Sequence, residues 1–314
     1  FSYTPTSATA GATFSWSRAS VIGISNAAAT GSGDPGEVLI NTTPDPINVT
    51  YVYTVSANGC TNPSTYSLVF LVNPTPILSS TTTPPAICSN SVFNYTPTSA
   101  TPGTYNWTRD AVTGISNAAN SGTGNPNETL VNTTSAPVSV TYVYSLTANG
   151  CTNPTAYSVV VTVNPLPTLT SSITPPAICS NTLFNYTPTS ATIGTSFAWS
   201  RPLVSGISNA AASGTDDPNE ILVNTTSNPV DVTYLYKLSA NGCTNPTTYS
   251  VVVSVNFNCV CNYSLNSTLS PPAICSGDLF TYTPTSATPG ATFAWTRAAV
   301  PGISNAAASG SGDP

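Results

Sequence analysis

Residues 93–134 read FNYTPTSATPGTYNWTRDAVTGISNAANSGTGNPNETLVNTT, and nearly the same words return over residues 184–226 as FNYTPTSATIGTSFAWSRPLVSGISNAAASGTDDPNEILVNTT. They stand earlier as FSYTPTSATAGATFSWSRASVIGISNAAATGSGDPGEVLINTT from Phe1, and begin again as FTYTPTSATPGATFAWTRAAVPGISNAAASGSGDP from Phe280. Trp16, Trp107, Trp199 and Trp295 fix the register, at spacings of 91, 92 and 96 residues. A repeat of this length matches one small β-sandwich domain. The expected division is 1–73 (a repeat without its first strand), 74–164 and 165–256 (complete repeats), and 257–314 (a linker with the front half of another repeat). An array that opens and closes inside a repeat is expected to be a window on a longer polymer, which points to reach and scaffolding before chemistry.

Within the second repeat, Phe93-Asn-Tyr-Thr-Pro-Thr98 alternates aromatic and polar residues as a half-buried strand does. Thr104–Arg109 follows a Pro-Gly turn. The stretch from Ala118 to Asn127 is rich in turn formers. Glu128–Thr133 predicts the next strand. Val138–Thr147 is long and β-branched, and Ala148-Asn-Gly-Cys-Thr-Asn-Pro154 closes a hairpin onto Tyr157–Val163. With an edge segment between Pro165 and Ile178 this makes roughly seven short strands, the count of an immunoglobulin-like sandwich. Trp107 falls where a core tryptophan of strand C belongs, and Tyr142 suits a tyrosine near the start of strand F. Prolines in the linkers (Asn73-Pro-Thr-Pro76, Asn164-Pro-Leu-Pro167) favour stiff, extended connections. The expected fold class is all-β, a rod-like array of tandem sandwiches.

Charge is scarce. Five Lys+Arg face 11 Asp+Glu, with no His, and only 5% of residues are charged against about 25% in typical proteins. A net charge of −6 without clustered basic residues argues against nucleic acid and against anionic lipid. No apolar run approaches the roughly 20 residues that span a bilayer, so no membrane insertion is expected for this segment.

Six of the eight cysteines keep the repeat. Cys60, Cys151 and Cys243 stand in Asn-Gly-Cys-Thr-Asn-Pro, and Cys88, Cys179 and Cys275 in Pro-Pro-Ala-Ile-Cys-Ser. Without His, and without paired spacing, zinc is disfavoured and structural disulfides in an oxidising, extracellular setting are favoured. Three families of pairing are open. One lies within a unit (Cys88 to Cys151, Cys179 to Cys243). One crosses each linker (Cys60 to Cys88, Cys151 to Cys179). One joins a unit to the next (Cys88 to Cys243). In a sandwich the start of strand B and the F–G tip lie at opposite ends, roughly 20 Å apart, and a disulfide needs Cα atoms within about 7 Å. A domain-to-domain staple is therefore attractive, and an intra-unit bond on another topology stands level with it. Cys259 and Cys261 occur once, in the enlarged linker; a mutual bond, a link to another chain and free thiols all stay open.

The pattern PPAICSG, YTPTSATPGT, FAWTRA, GISNAA, NPNE, LVNTT, VTYVY, ANGCTNPTTYSV and VNP resembles the PKD-like (polycystic-kidney-disease-like) repeats of giant surface proteins in Bacteroidetes, along essentially the whole chain. Members are found in gliding-motility adhesins and other large type IX secretion substrates. The resemblance implies an exported, cell-surface or released protein, and repeats that serve as spacers or binding modules. It carries no catalytic residue onto this chain.

Candidate sites follow the repeat. Arg18, Arg109, Arg201 and Arg297 each stand two residues after the tryptophan, and Glu37, Glu128 and Glu220 come 19 residues after the first three. An electrostatic ligand clamp is one reading; a structural ion pair in a nearly uncharged domain is the preferred one. Asp216, Asp217 and Glu220 are the one loop with three acids and so the weak calcium candidates; a turn built on Asp-Pro is the alternative. Tyr3, Tyr95, Tyr186 and Tyr282 suit sugar stacking or, more commonly, cross-strand packing. Asn41, Asn94, Asn106, Asn132, Asn185 and Asn224 begin Asn-x-Thr triplets, read as Thr-rich strands rather than glycosylation sites. With no His, a single lysine (Lys237) and no repeating acid pair or nucleophile–base pair, catalysis is not expected. No cofactor is expected beyond the weak calcium option. The expected partners are neighbouring repeats, other copies in a fibre bundle and surface polysaccharide. The leading reading is the stalk of a surface filament or adhesin; the rival is a carbohydrate-binding or spacer array of a secreted multidomain enzyme.

Overall fold

The segment from Val138 to Ala148 shows why each repeat folds. Its alternate residues Val140, Tyr142, Tyr144, Leu146 and Ala148 all face inward and are buried, while the residues between them are more open. A period of two with β-branched and aromatic residues is what a sheet with one covered face requires.

The computed structural model describes residues 1–257, 264–287 and 291–314; Cys259 and Cys261 lie outside them. Every regular element among the described residues is a strand. The first repeat contributes β1 (Thr13–Arg18), β2 (Ala29–Ser32), β3 (Ile47–Ala57), β4 (Cys60–Thr61) and β5 (Tyr66–Val72). The second contributes β6 (Ile87–Cys88), β7 (Ser91–Phe93), β8 (Thr104–Arg109), β9 (Asn120–Thr123), β10 (Glu128–Leu130), β11 (Val138–Ala148), β12 (Cys151–Thr152) and β13 (Tyr157–Asn164). The third repeats that set as β14 (Ile178–Cys179), β15 (Thr182–Phe184), β16 (Ser196–Arg201), β17 (Ala212–Thr215), β18 (Glu220–Leu222), β19 (Val230–Ala240), β20 (Cys243–Thr244) and β21 (Tyr249–Asn256). A last pair, β22 (Ala294–Arg297) and β23 (Ala308–Ser311), follows.

In the second repeat one sheet runs β6-β13-β11-β8-β9, with the stub β12 on β11, and a two-stranded ribbon β7-β10 makes the other layer. The third repeat has the same order with β14-β21-β19-β16-β17 and β15-β18. All pairings are antiparallel except β6 on β13 and β14 on β21. This is the immunoglobulin-like sandwich arrangement, an early segment crossing to pair in parallel with the last strand. Phe93, Trp107, Leu130, Tyr142, Tyr144, Val159 and Val161 fill the space between the layers.

Three expectations differ in detail. The segment from Ala118 to Asn127, read as turn, holds β9, which pairs with β8 and sets Gly122 opposite Trp107. The glycine is there because a Cβ would stand 2.8 Å from the indole ring, so the backbone itself is the surface on which the ring lies. The strand from Phe93 to Thr98 stops its ladder at Phe93. Beyond it the Tyr95 N–H donates to Asn125 Oδ1 at 2.9 Å, and Pro97 has no N–H to give. Tyr142, read as a tyrosine near the start of a strand, is the fifth residue of β11, and its hydroxyl donates to the Glu128 carboxylate at 2.7 Å.

Candidate functional site

The feature with most mechanical consequence is the joint between repeats. The parallel pairing of Ile87 and Cys88 with Val163 and Asn164 puts Cys88 at the C-terminal end of β13, where the linker Asn164-Pro-Leu-Pro167 leaves. The turn between β19 and β20 in the next repeat comes to the same place. Cys88 and Cys243 are disulfide-bonded there, with Cα atoms 5.6 Å apart and 155 residues between them in sequence. Beside the bond, the Asn164 amide donates to the Asn241 carbonyl at 2.9 Å, and the Asn245 amide donates to the Pro167 carbonyl at 2.8 Å. Pro165 and Pro167 are buried in the joint. A linker held at both ends by amide hydrogen bonds, with φ fixed at two prolines, has little freedom to hinge.

The joint between the first and second repeats has the same hydrogen bonds. Asn73 donates to the Asn149 carbonyl at 2.9 Å and Asn153 to the Pro76 carbonyl at 2.8 Å. Cys151 occupies the position of Cys243, with a free thiol. Cys60 and Cys275 are also free, and Cys179 is disulfide-bonded. None of the pairings Cys88 to Cys151, Cys60 to Cys88 or Cys179 to Cys243 is made. The asparagines of the joint escaped the sequence reading. Their signal was there, since Cys-Thr-Asn-Pro and Val-Asn-Pro return in successive repeats.

Inside each sandwich lies a charged box. Arg109, on β8, is buried; its Nε and Nη2 donate to Glu128 at 2.8 and 2.9 Å, and Nη2 also donates to the Ala118 carbonyl at 2.7 Å. Its guanidinium lies 5.9 Å from the Tyr142 ring centroid. Arg201 with Glu220, and Arg18 with Glu37, repeat the fork at 2.8 Å. Burial opposes charge on Glu128, but the hydrogen bonds from Arg109, Tyr142 and Asn120 outweigh it and hold its carboxyl at about 2. Glu220 is lowered in the same way against its burial; Glu37 is lowered chiefly by Arg18. Burial first, then the carboxylate, pushes the Tyr142 and Tyr234 hydroxyls up. The Arg109 guanidinium thus spends its Nε and Nη2 donors inside the fold. Arg297 donates to the Asn305 and Ala306 carbonyls.

Trp16, Trp107 and Trp199 are buried against their glycines, and no acceptor meets their indole N–H groups. Leaving such a donor unpaired costs about 1–3 kcal/mol, which the buried ring area must offset. Trp295 lies likewise over Gly310.

Asp216, Asp217 and Glu220 do not converge. Glu220 faces Arg201, Asp217 accepts the Tyr186 and Asn219 N–H groups, and Asp216 takes a left-handed turn at φ +59°. Among the described residues no three acidic, histidine or cysteine side chains come together. Tyr95 and Tyr186 are buried and stacked on Phe93 and Phe184, so neither is a sugar platform. Asn132 and Asn224 are buried too, and their amides tie the last strands through the Val163 and Val255 carbonyls at 2.8 and 2.7 Å. The PKD-like domain family matches residues 85–167 and 176–259, more than half of the sequence.

The chain belongs to the PKD-like domain family. No curated protein matches it in sequence. Among solved structures it is similar to mouse cadherin-23 EC22-24, at 10% identity over 79% of this chain and 86% of that one, with a TM-score of 0.30. Zebrafish RET cadherin-like domains 1 to 4 match at 12% identity over 79% of this chain and 66% of that one, with a TM-score of 0.20. Both TM-scores are too low for a shared overall arrangement. Among the described residues of this PKD-like array no helix is long and apolar enough to cross a membrane.

Proposed function

We propose that this PKD-like array is a structural segment of a long extracellular bacterial filament or adhesin stalk, and that its work is mechanical: to project, to bridge and to resist shear. The observation that carries the reading is the Cys88–Cys243 bond between consecutive repeats. A cross-link placed between domains does little for either core and much for the angle between them. Disulfides persist outside the reducing cytosol, which supports export, and the sequence resemblance to giant Bacteroidetes surface proteins supports delivery by type IX secretion and a role in attachment or gliding. The sparse charge leaves little repulsion between neighbouring rods, which suits lateral bundling. The buried tyrosines and the internally satisfied arginine box speak against the rival reading of a polysaccharide-binding array, and no catalytic role is read from these residues.

Small-angle scattering and electron microscopy of the chain, oxidised and reduced, test this. An extended particle whose maximum dimension contracts and whose flexibility rises on reduction is expected. A particle equally flexible in both states would overturn the mechanical reading.

A further inference from the structure

Residues 76–92 run the length of the second repeat. Asn153 holds the Pro76 carbonyl at the joint with the first repeat. The Ser79 N–H donates to the Thr98 carbonyl, and the Val160 N–H to the Thr82 carbonyl. Ile87 and Cys88 then pair in parallel with Val163 and Asn164, at the opposite end of the sandwich, and β7 covers β10. Residues 243–256 run the length of the third repeat. Cys243 and Thr244 pair with Ala240 and Ser239, and β21 continues along β19 until Val255 meets Val230. The Cys88–Cys243 bond joins the end of residues 76–88 to the start of residues 243–256.

Both segments are already nearly taut. Thr244 lies opposite Ser239 and Tyr249 opposite Tyr236, so five steps of the outer chain accompany three of β19. The excess is two residues, about 7 Å at strand spacing. It lies in Asn245-Pro246-Thr247-Thr248. In the second repeat the Val160 N–H reaches the Thr82 carbonyl, and three residues on Val163 pairs with Ile87. That segment too runs no more than two residues longer than β13. Its excess lies in Thr83-Pro84-Pro85-Ala86, where the prolines fix φ.

We propose that the Cys88–Cys243 bond is a shunt for tension. A pull along the chain runs through residues 76–88, crosses the disulfide and leaves through residues 243–256. Residues 89–242 form a loop closed by the bond, and a closed loop bears none of the pull. That loop holds most of both sandwich cores, from Phe93 and Trp107 to Tyr234 and Leu238. A strand already extended between its two loaded ends has only its slack to give, so the ladder between β19 and β21 is not sheared. Without the bond the same pull passes through β7–β13 and then β15–β21. The 155-residue separation of the cysteines, on the order of 500 Å when drawn straight, then becomes available to extension. Forced unfolding proceeds at the rate set by the loaded barrier, and the shunt removes the load from that barrier. The inference rests on the mechanical reading above and adds to it the path by which force crosses a pair of repeats.

Single-molecule stretching of the whole chain between handles at its two ends tests it, on the oxidised protein and on Cys88→Ser, which keeps the buried Cys243 in place. Residues 1–73 and those after Asn256 contribute alike to both and cancel. With the bond, the second and third repeats are expected to yield no more than their slack, about 7 Å each. Cys88→Ser is expected to add two unfolding steps and on the order of 500 Å of total extension. The wild-type chain under reductant should show at least that gain, which separates loss of the bond from a folding defect of the variant. Steps of a whole repeat from molecules in which peptide mapping finds the Cys88–Cys243 pair, or equal extension with and without the bond, would each overturn the shunt. The stalk reading fails separately: a chain equally flexible by scattering when oxidised and reduced, yet lacking those steps when oxidised, keeps the shunt and loses the stalk.

Discussion

The first and second repeats are built from the same words and differ in closure. Leu68, Phe70 and Val72 on β5 correspond to Val159, Val161 and Val163 on β13, and the latter three are fully buried while the former are half-buried. Leu39 is half-covered where Leu130 is 0% exposed. Phe1 is 39% and Tyr3 37% exposed where Phe93 and Tyr95 are buried. Yet the arginine box is intact in both. In residues 1–73 the sheet of β1–β5 and its ion pair stand with no segment of the 76–92 kind beside them, and their apolar residues are the more exposed.

The comparison can be broken first at the box. Arg109→Ala leaves the Glu128 carboxylate and the Tyr142 hydroxyl buried without their cation, a loss of about 3–5 kcal/mol, read as collapse of amide-exchange protection across β11. Next, Leu130→Ala in the closed core is expected to cost about 2–5 kcal/mol, and Leu39→Ala markedly less, because solvent already reaches that side chain. Equal losses in the two repeats, by the same exchange measurement, would contradict the difference in closure. Gly122→Ala drives a methyl group into Trp107 and is expected to cost about 1–3 kcal/mol, with a change in the tryptophan near-ultraviolet dichroism.

The smallest effect is in pH. The Glu128 carboxyl, at about 2 against an ordinary 4.5, contributes stability that is present above 4.5 and lost as pH falls toward 2. The Tyr142 hydroxyl is raised above its ordinary 10.0, so its contribution is present below 10 and fades above it. Urea midpoints should hold between these limits and fall outside both; Glu128→Gln should flatten the acid limb.

Much of this was legible in the words themselves. The alternation of Val138–Thr147, the fixed Trp register and the arginine 19 residues before its glutamate (Arg109 to Glu128) mark a sandwich with an internal ion pair. The β9 strand was not legible, because Gly122 reads as a turn former and its reason is an indole ring across the sheet. Nor was the choice among disulfides. Repetition offers Cys88 several partners in identical sequence surroundings, Cys151 and Cys243 among them, and only the parallel crossing of β6 onto β13 takes it to the far end of its own sandwich. The asparagines of the joint look like turn residues until their amides are seen to cross between repeats.

The central claim is that the cross-link joins domains rather than closing one. Non-reducing proteolysis with mass spectrometry of the purified chain, its free thiols blocked before digestion, tests it directly. The account predicts a Cys88–Cys243 peptide pair, with Cys60 blocked as a free thiol. A Cys88–Cys151 pair, inside one repeat, would contradict it.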